Sequence, residues 1–241
     1  PDMGKYLTAA ELVEICETAN RYNIEVIPSF DTPAHVGWLT KRYYDLTQAG
    51  NTGIKTFKYG GSTYTLPTRL HYRNKGSAYD YAVLNLGDAT VQKFAFAMYT
   101  DIAAFFRYYA GSTKFNICGD EVALTSTDTW NYADFMDYVN TLDGVLNNLG
   151  YKTRMYNDFL DRSDYISASS RTPASLNSDI EIVYWDAPNT SGTTKNIKKA
   201  SHWYNNRAIY SGVQNWTYYV LRLFNTPGSS YTSNAIWGMD A

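Results

Sequence analysis

Long apolar runs, charge of one sign, cysteine and glycine-rich loops are all scarce in this sequence, and each scarcity removes a class of function. No stretch of the 241 residues holds the roughly 20 consecutive apolar positions that a membrane-spanning helix needs. The first residues, PDMGKYLTAAEL, lack the basic and apolar regions of a targeting peptide. Lys and Arg number 21 against 23 Asp and Glu, a formal net charge of −2 without a basic cluster, which argues against nucleic acid or an anionic membrane surface as partner. The two cysteines, Cys16 and Cys118, fall on a helix-like and a strand-like stretch. They make neither a disulfide framework nor a metal-ligand spacing, and are expected to be small buried apolar residues. No Gly-rich phosphate loop follows any predicted strand, so a nucleotide site has no signal here and no cofactor or metal is expected.

What remains is a globular composition, 44% hydrophobic and 18% charged, suited to one domain with one core. Its unusual feature is aromatic content: 23 Tyr and 6 Trp, many in polar or Gly-containing surroundings. Aromatic faces with polar tips suit sugar rings, whose C–H faces stack while their hydroxyls are hydrogen-bonded. A Tyr-rich bias of the kind found in secreted proteins explains the same numbers equally well.

Helical and strand patterns alternate. KYLTAAELVEICETANRYN has a Thr8/Glu11 capping box and apolar residues Leu12, Ile15, Cys16, Ala19 and Tyr22 at helical spacing. IEVIPSFD follows as a β-branched strand ending in Asp31. A second helix, from Asp88 to about Tyr109, carries Val91, Phe94, Met98, Ile102, Phe105 and Tyr109, and leads into the strand KFNICGDE. A third, over residues 130–149, carries Trp130, Phe135, Val139, Leu142, Val145, Leu146 and Leu149, is stopped by Gly150, and leads into YKTRMYND. IEIVYWD, a weaker helical stretch over 194–205, AIYSGVQN and AIWGMD complete six predicted strands. Alternation of this kind predicts a parallel sheet covered by helices. Asp31, Asp120, Glu121, Asn157, Asp158, Trp185, Asp186, Asn215, Trp237 and Asp240 all fall at strand C-terminal ends, the face on which a (β/α)8 TIM barrel builds its site. The predicted fold is therefore such a barrel, with about six of its parallel strands visible, as a single partial domain over 1–241.

The most demanding stretch is FNICGDEV, residues 115–122. Like charges on adjacent residues repel, and burial penalises each further, so a buried strand end carrying Asp120 and Glu121 must use them or neutralise one. An acidic surface loop is the alternative reading of the pair by itself.

In their order along the chain these segments resemble family 20 glycoside hydrolases, the β-N-acetylhexosaminidases and lacto-N-biosidases. YLTAAELVEICETANRYNIEVIPSFDTPAHVGWL is similar to the family's third barrel strand and its flanks, whose usual form is an apolar strand, Pro, an acid, Asp, Met, Pro, Gly, His. FNICGDEV resembles its fourth-strand signature, His-x-Gly-Gly-Asp-Glu. YKTRMYNDFL, IEIVYWD, VQNWTYYVL and AIWGMDA look like strands five to eight.

The resemblance implies a retaining hydrolase whose nucleophile is the substrate's own 2-acetamido group, an exception to the two-carboxylate scheme. Glu121 would be the general acid and later the base, with a pKa raised by burial and by its neighbour; Asp120 would hold the acetamido N–H and stabilise the oxazolinium charge. Tyr218 best matches the tyrosine that bonds the acetamido oxygen, the adjacent Tyr219 being the alternative in a register open by one residue. Trp185 and Trp237 match pocket walls, Tyr156 stands where an aromatic wall is often Trp, and Asp158 matches the strand-five acid. His35 matches a side chain that supports the general acid; Asp31 and Asp240 are further substrate-side candidates, while His71 and His202 receive no role. The implied partner is a glycan bearing N-acetylglucosamine or N-acetylgalactosamine, and the implied location extracellular or cell-surface.

Departures accompany the match. Cys118 replaces the first signature Gly, Asn116 the usual His, and Met239 a Glu that binds outer hydroxyls of the terminal sugar. GGSTYTLP and LHYRNKGSAYDYAVLNL are closer to the lacto-N-biosidase branch. No counterpart of the first two strands, or of their sugar-clamping Arg, precedes Pro1. This suggests a fragment of a longer secreted enzyme, a natural six-stranded protein being the alternative. Two other classes remain open at this point: an impaired barrel that only binds amino-sugar glycans, and an open α/β metal or nucleotide enzyme.

Overall fold

Thr8 begins the first helix in the way its spacing to Glu11 predicts. In α1 (Ala9–Arg21) the Thr8 hydroxyl accepts from Glu11 N at 3.2 Å while the Glu11 carboxylate accepts from Thr8 N at 2.7 Å, closing the capping box. The computed structural model describes residues 7–37, 39, 43, 55–67, 70–73, 83–119, 122, 130–156, 176–184, 209–212 and 238–240, and for 71–73, 132, 184, 209–212 and 238–240 the backbone alone.

Helix α1 packs against α2 (Ala89–Ala110). Asp88 caps α2 by accepting from Thr90 N at 2.7 Å, and Gly111 ends it at φ +63°, a left-handed conformation that costs glycine nothing sterically. Its core stripe is Val91, Ala95, Phe96, Tyr99 and Ala103; the predicted Phe94, Met98 and Ile102 flank that stripe half-buried. In α1, similarly, Cys16 alone is fully buried, and Ile15 and Tyr22, predicted on the apolar face, are exposed. α3 (Tyr132–Asn148) starts at an Asn131/Asp134 capping box and buries Phe135, Met136, Tyr138, Val139, Leu142 and Leu146.

Two short hairpins stand between α1 and α2. β1 (Thr56–Tyr59) and β2 (Ser62–Thr65) pair antiparallel around Gly60 and Gly61, both at positive φ; β3 (His71–Arg73) pairs β4 (Val83–Leu84). The first packs on α2, with Phe57 against Tyr64 and Phe94. Neither was anticipated from the sequence, although Gly-Gly between alternating aromatic residues is a hairpin signal.

β5 (Lys114–Asn116), β6 (Lys152–Tyr156), β7 (Glu181–Tyr184), β8 (Ile209–Gly212) and β9 (Gly238–Asp240) form one parallel sheet in sequential order. This is the predicted barrel arrangement, helices on one side of a sheet whose strands all run the same way. The predicted strand over 24–31 reaches it by one bridge, Ser29 to Asn116, with Asn116 N donating to Pro28 O at 2.9 Å and Phe30 N to Asn116 O at 3.0 Å. The ladder stops there because Pro28 has no N–H for the next rung, and Val26 O is already taken by the Ser112 hydroxyl at 2.6 Å. The predicted strand over 114–121 is also cut short: Cys118 and Gly119 turn to φ +57° and +73°. The helical stretch predicted over 194–205 lies outside the described residues.

Strand alternation sorts the sheet into two faces. Phe115, Ile117, Met155 and Ile182 join the main core beneath the helices; Asn116, Arg154 and Glu181 are in register on the other face, and Cys118, Tyr156 and Val183 cluster separately. Arg154 Nε donates to Glu181 Oε2 at 2.6 Å with both side chains nearly solvent-free. A buried charge of either sign costs several kcal/mol unless paired in this way, on the order given by ion desolvation.

Burial also sets a pH limit. It pushes the Tyr43 and Tyr151 phenols up to about 12, Tyr43 aided by Asp88 and Tyr151 opposed by Arg107, and it raises Tyr138 and Tyr99. These groups favour folding fully below the unfolded tyrosine pKa of about 10, and that contribution is lost as pH rises through the folded values. The urea midpoint is expected to hold steady between about pH 7 and 9.5 and to fall steeply above about 10. Tyr151→Phe, which removes the bond to Ala103 O, is expected to lower the plateau and make that fall shallower.

Candidate active site

Two backbone segments meet where the sheet ends. One runs from Ser29 to His35, through a cis Thr32–Pro33 peptide and His35 at φ +55°; the other runs from Asn116 to Gly119. Beyond the Ser29–Asn116 bridge they are joined by side chains. The Ser29 hydroxyl lies 3.0 Å from the Cys118 thiol, and Asp31 Oδ1 accepts from Gly119 N at 3.3 Å. Asn116 Oδ1 accepts from Cys118 N at 2.9 Å, an Asx turn that lifts the chain out of the ladder just before the two acids.

Both glycine-signature positions have positive φ. At Gly119 a Cβ would lie at ordinary contact distance, 3.5 Å from Met155 Cε and Phe135 Cζ and 3.8 Å from Thr32 O, so the constraint there is its φ of +73° rather than space. Cys118 carries a side chain at φ +57°, where L residues are strained, and offsets that strain by contact with Tyr156 and Val183 and by its approach to Ser29. Tyr156 N, in turn, donates to Cys118 O at 2.7 Å, which ties the predicted aromatic wall to the signature backbone.

Of the predicted site residues, Asp31 and Tyr156 are thus brought together with Asn116, Cys118 and Gly119, and His35 lies on the segment that carries Asp31. Asp31 and His35 are half-buried and Tyr156 is buried. Asp240 lies on β9, described for its backbone alone. Asp120, Glu121, Asp158, Trp185, Tyr218 and Trp237 lie outside the described residues; Gly119 and Val122, which flank the pair of acids, are both buried. Among the described residues no group of three or more His, Cys, Asp or Glu is placed to hold a metal ion, and no helix is long and apolar enough to cross a membrane.

Beneath the site lie groups that the sequence reading passed over. The Thr32 hydroxyl sits 2.9 Å from the Tyr99 hydroxyl and 2.8 Å from that of Tyr138, and Tyr99 donates to Phe30 O at 2.6 Å. Burial first, and the negative charge of Asp31 in addition, keep both phenols protonated. The available signal was a Tyr at a central core position of each helix, since a buried Tyr hydroxyl requires a partner. Arg154 and Glu181 had a similar signal, a charge inside an otherwise apolar strand.

The catalytic-domain model of glycosyl hydrolase family 20 matches residues 1–221. Among solved structures, the chain is similar to the pneumococcal virulence factor StrH, at 20% identity over 76% of this chain and 40% of that one, TM-score 0.51. It is similar to dispersin B, at 19% identity over 97% of this chain and 68% of that one, TM-score 0.55. It is also similar to the Streptomyces plicatus β-hexosaminidase solved as a mutant with its product GlcNAc, at 16% identity over 85% of this chain and 33% of that one, TM-score 0.53. The chain thus spans well under half of the StrH and Streptomyces chains.

Position 118 offers a direct check on the strained turn. Glycine normally destabilises relative to alanine, but at φ +57° the order is expected to reverse, Cys118→Gly being more stable than Cys118→Ala by about 1 kcal/mol in urea unfolding.

Proposed function

The chain belongs to glycosyl hydrolase family 20, and on that premise we propose that it is the catalytic domain of a retaining exo-glycosidase that cleaves β-linked N-acetylhexosamine from glycans. The observation that carries this reading is the family match over residues 1–221, which includes Gly119-Asp120-Glu121. The bond from Gly119 N to Asp31 Oδ1, which joins the two motif-bearing segments, supports it. The Streptomyces relative holds GlcNAc, and StrH acts on N-glycans, which supports an N-acetylglucosamine-bearing substrate.

In this mechanism Glu121 gives its proton to the glycosidic oxygen as the acetamido carbonyl oxygen attacks the anomeric carbon and the leaving group departs. Asp120 accepts from the acetamido N–H and balances the positive charge of the resulting oxazolinium ion. Tyr218 donates to the acetamido oxygen and so orients it. Glu121, now a carboxylate, takes a proton from water as that water attacks the anomeric carbon; the amide is regenerated and retention results. Trp185, Trp237 and Tyr156 wall the sugar, His35 supports the acid, and Asp31, Asp158 and Asp240 serve hydroxyls or the loops that present them.

The finer assignment is a lacto-N-biosidase-like substrate. Met239 in place of a hydroxyl-binding Glu favours a terminal sugar that carries a substituent there. A GalNAc terminus and a position outside the cell or on its surface belong to the same proposal. The departures at Cys118, Asn116 and Met239 favour, as a second reading, a domain that binds amino-sugar glycans without turning them over.

Hydrolysis of an aryl β-N-acetylglucosaminide, compared with the matching lacto-N-bioside and N-acetylgalactosaminide, separates these readings. Glu121→Gln is expected to lower kcat/KM on the preferred substrate by about 10³-fold or more, the scale of lost general-acid catalysis. Unchanged turnover in that variant would sink the mechanism, and saturable binding without turnover in the parent protein would select the second reading. Asp120→Asn is expected to move the basic limb of the pH–rate profile to lower pH, because removing a neighbouring negative charge makes a protonated acid easier to ionise.

A further inference from the structure

The buried hydroxyls under the Asp31 turn have only one consistent arrangement of protons. Tyr99 Oη lies 2.6 Å from the carbonyl of Phe30, which can only accept, so the single phenolic proton of Tyr99 points there. At 2.9 Å from Thr32 Oγ1 the Tyr99 oxygen must then accept, which commits the Thr32 proton to it. Thr32 in turn accepts from Tyr138, 2.8 Å away. The result is a one-way chain: Tyr138 O–H to Thr32 O–H to Tyr99 O–H to the Phe30 carbonyl. Every member is fully used, and no hydroxyl of the three is orphaned.

The chain ties the turn around Asp31 to two helices that pack on each other here. Tyr138 belongs to α3 and Tyr99 to α2, while Thr32 and Phe30 are the residues on either side of Asp31. Both rings are held by neighbours: Tyr138 stacks on Phe96 with centroids 5.3 Å apart, and Tyr99 sits edge-on to Phe30 at 5.0 Å. Thr32, Tyr99 and Tyr138 are each at most 1% exposed, so water does not compete for these bonds. Asp31, gripped before and after, accepts from Gly119 N, the residue that precedes Asp120.

We infer that Thr32, Tyr99 and Tyr138 are positioning residues for the reaction proposed above: their directional hydroxyl chain clamps the backbone on both sides of Asp31, and Asp31 passes that constraint to the Gly119–Glu121 segment. None of the three touches substrate. Their effect is on the geometry in which the acids meet the bound sugar, and so on turnover more than on binding.

Thr32→Val keeps the shape and removes the link. Assayed on the aryl β-N-acetylglucosaminide, it is expected to lower kcat about tenfold with KM within about twofold, the scale of a lost buried hydrogen bond acting through position. Thr32→Ser, which keeps the hydroxyl, restores kcat to within about threefold. Tyr138→Phe removes the first donor and lowers kcat less, and the Thr32→Val/Tyr138→Phe double variant is no worse than Thr32→Val alone, because the link is already broken. Unchanged kcat in Thr32→Val, failure of Ser to rescue it, or additive losses in the double variant would overturn the inference. If Tyr138→Phe does not fold, the Val and Ser variants at position 32 decide. The inference rests on the proposed glycosidase reading, so a second measurement separates the two: amide exchange at Gly119, expected about tenfold faster in Thr32→Val and restored by Ser. A parent protein without turnover but with this exchange pattern counts against the glycosidase reading and for the clamp; unaltered Gly119 exchange counts against the clamp.

Discussion

The bridge between Ser29 and Asn116 is the contact on which the site depends. Two backbone hydrogen bonds place the turn bearing Asp31 beside the segment that leads to Asp120 and Glu121. A parallel pairing brings both chain segments to the same end of the sheet, since neither reverses direction before reaching it. Pro28 removes the rung before the bridge; after it, Phe30 O accepts from Tyr99 and Cys118 N donates to Asn116 Oδ1, and the side-chain bonds from Asp31 to Gly119 and between Ser29 and Cys118 take over. The bond from Cys118 N to Asn116 Oδ1 closes an Asx turn there.

Two sets of polar groups buried around this bridge are paired. Arg154 and Glu181 neutralise one another on the face turned away from the helices, below Tyr156 on the same strand, and the three hydroxyls beside Asp31 satisfy one another and a carbonyl. Unpaired, each would carry a desolvation cost of roughly 1–3 kcal/mol per neutral group and more per charge. Paired, they resist displacement, because moving any one member exposes the others. The floor of the site is therefore held by directional bonds set into an apolar core of Phe115, Ile117, Phe135 and Met155.

The legibility of the molecule divides along the same line. Helix starts were readable because they are local: Thr8 with Glu11, and Asp88 ahead of an apolar periodicity, need only neighbours a few residues away. The parallel order of the strands followed from alternation with helices. Helix faces were less readable, as Ile15 and Tyr22 on α1 show, because which side of an amphipathic helix is covered depends on what lies beside it. Tyr156 was legible as an aromatic at a strand end. Cys118 was legible as a small buried residue, but its place in the turn depends on a φ of +57° and on Ser29, 89 residues distant in sequence.

Composition, periodicity and motif order thus determined the class of fold and the family to which the chain belongs. They suffice because each is written in neighbouring residues or in the order of short segments. Tertiary structure alone decided that Thr32 would face Tyr99 and Tyr138 across 67 and 106 residues of chain, that Arg154 would find Glu181, and that Gly119 N would meet Asp31. Such pairings are fixed by packing, where the cost of burying a lone polar group selects its partner from whatever the fold brings within about 3 Å.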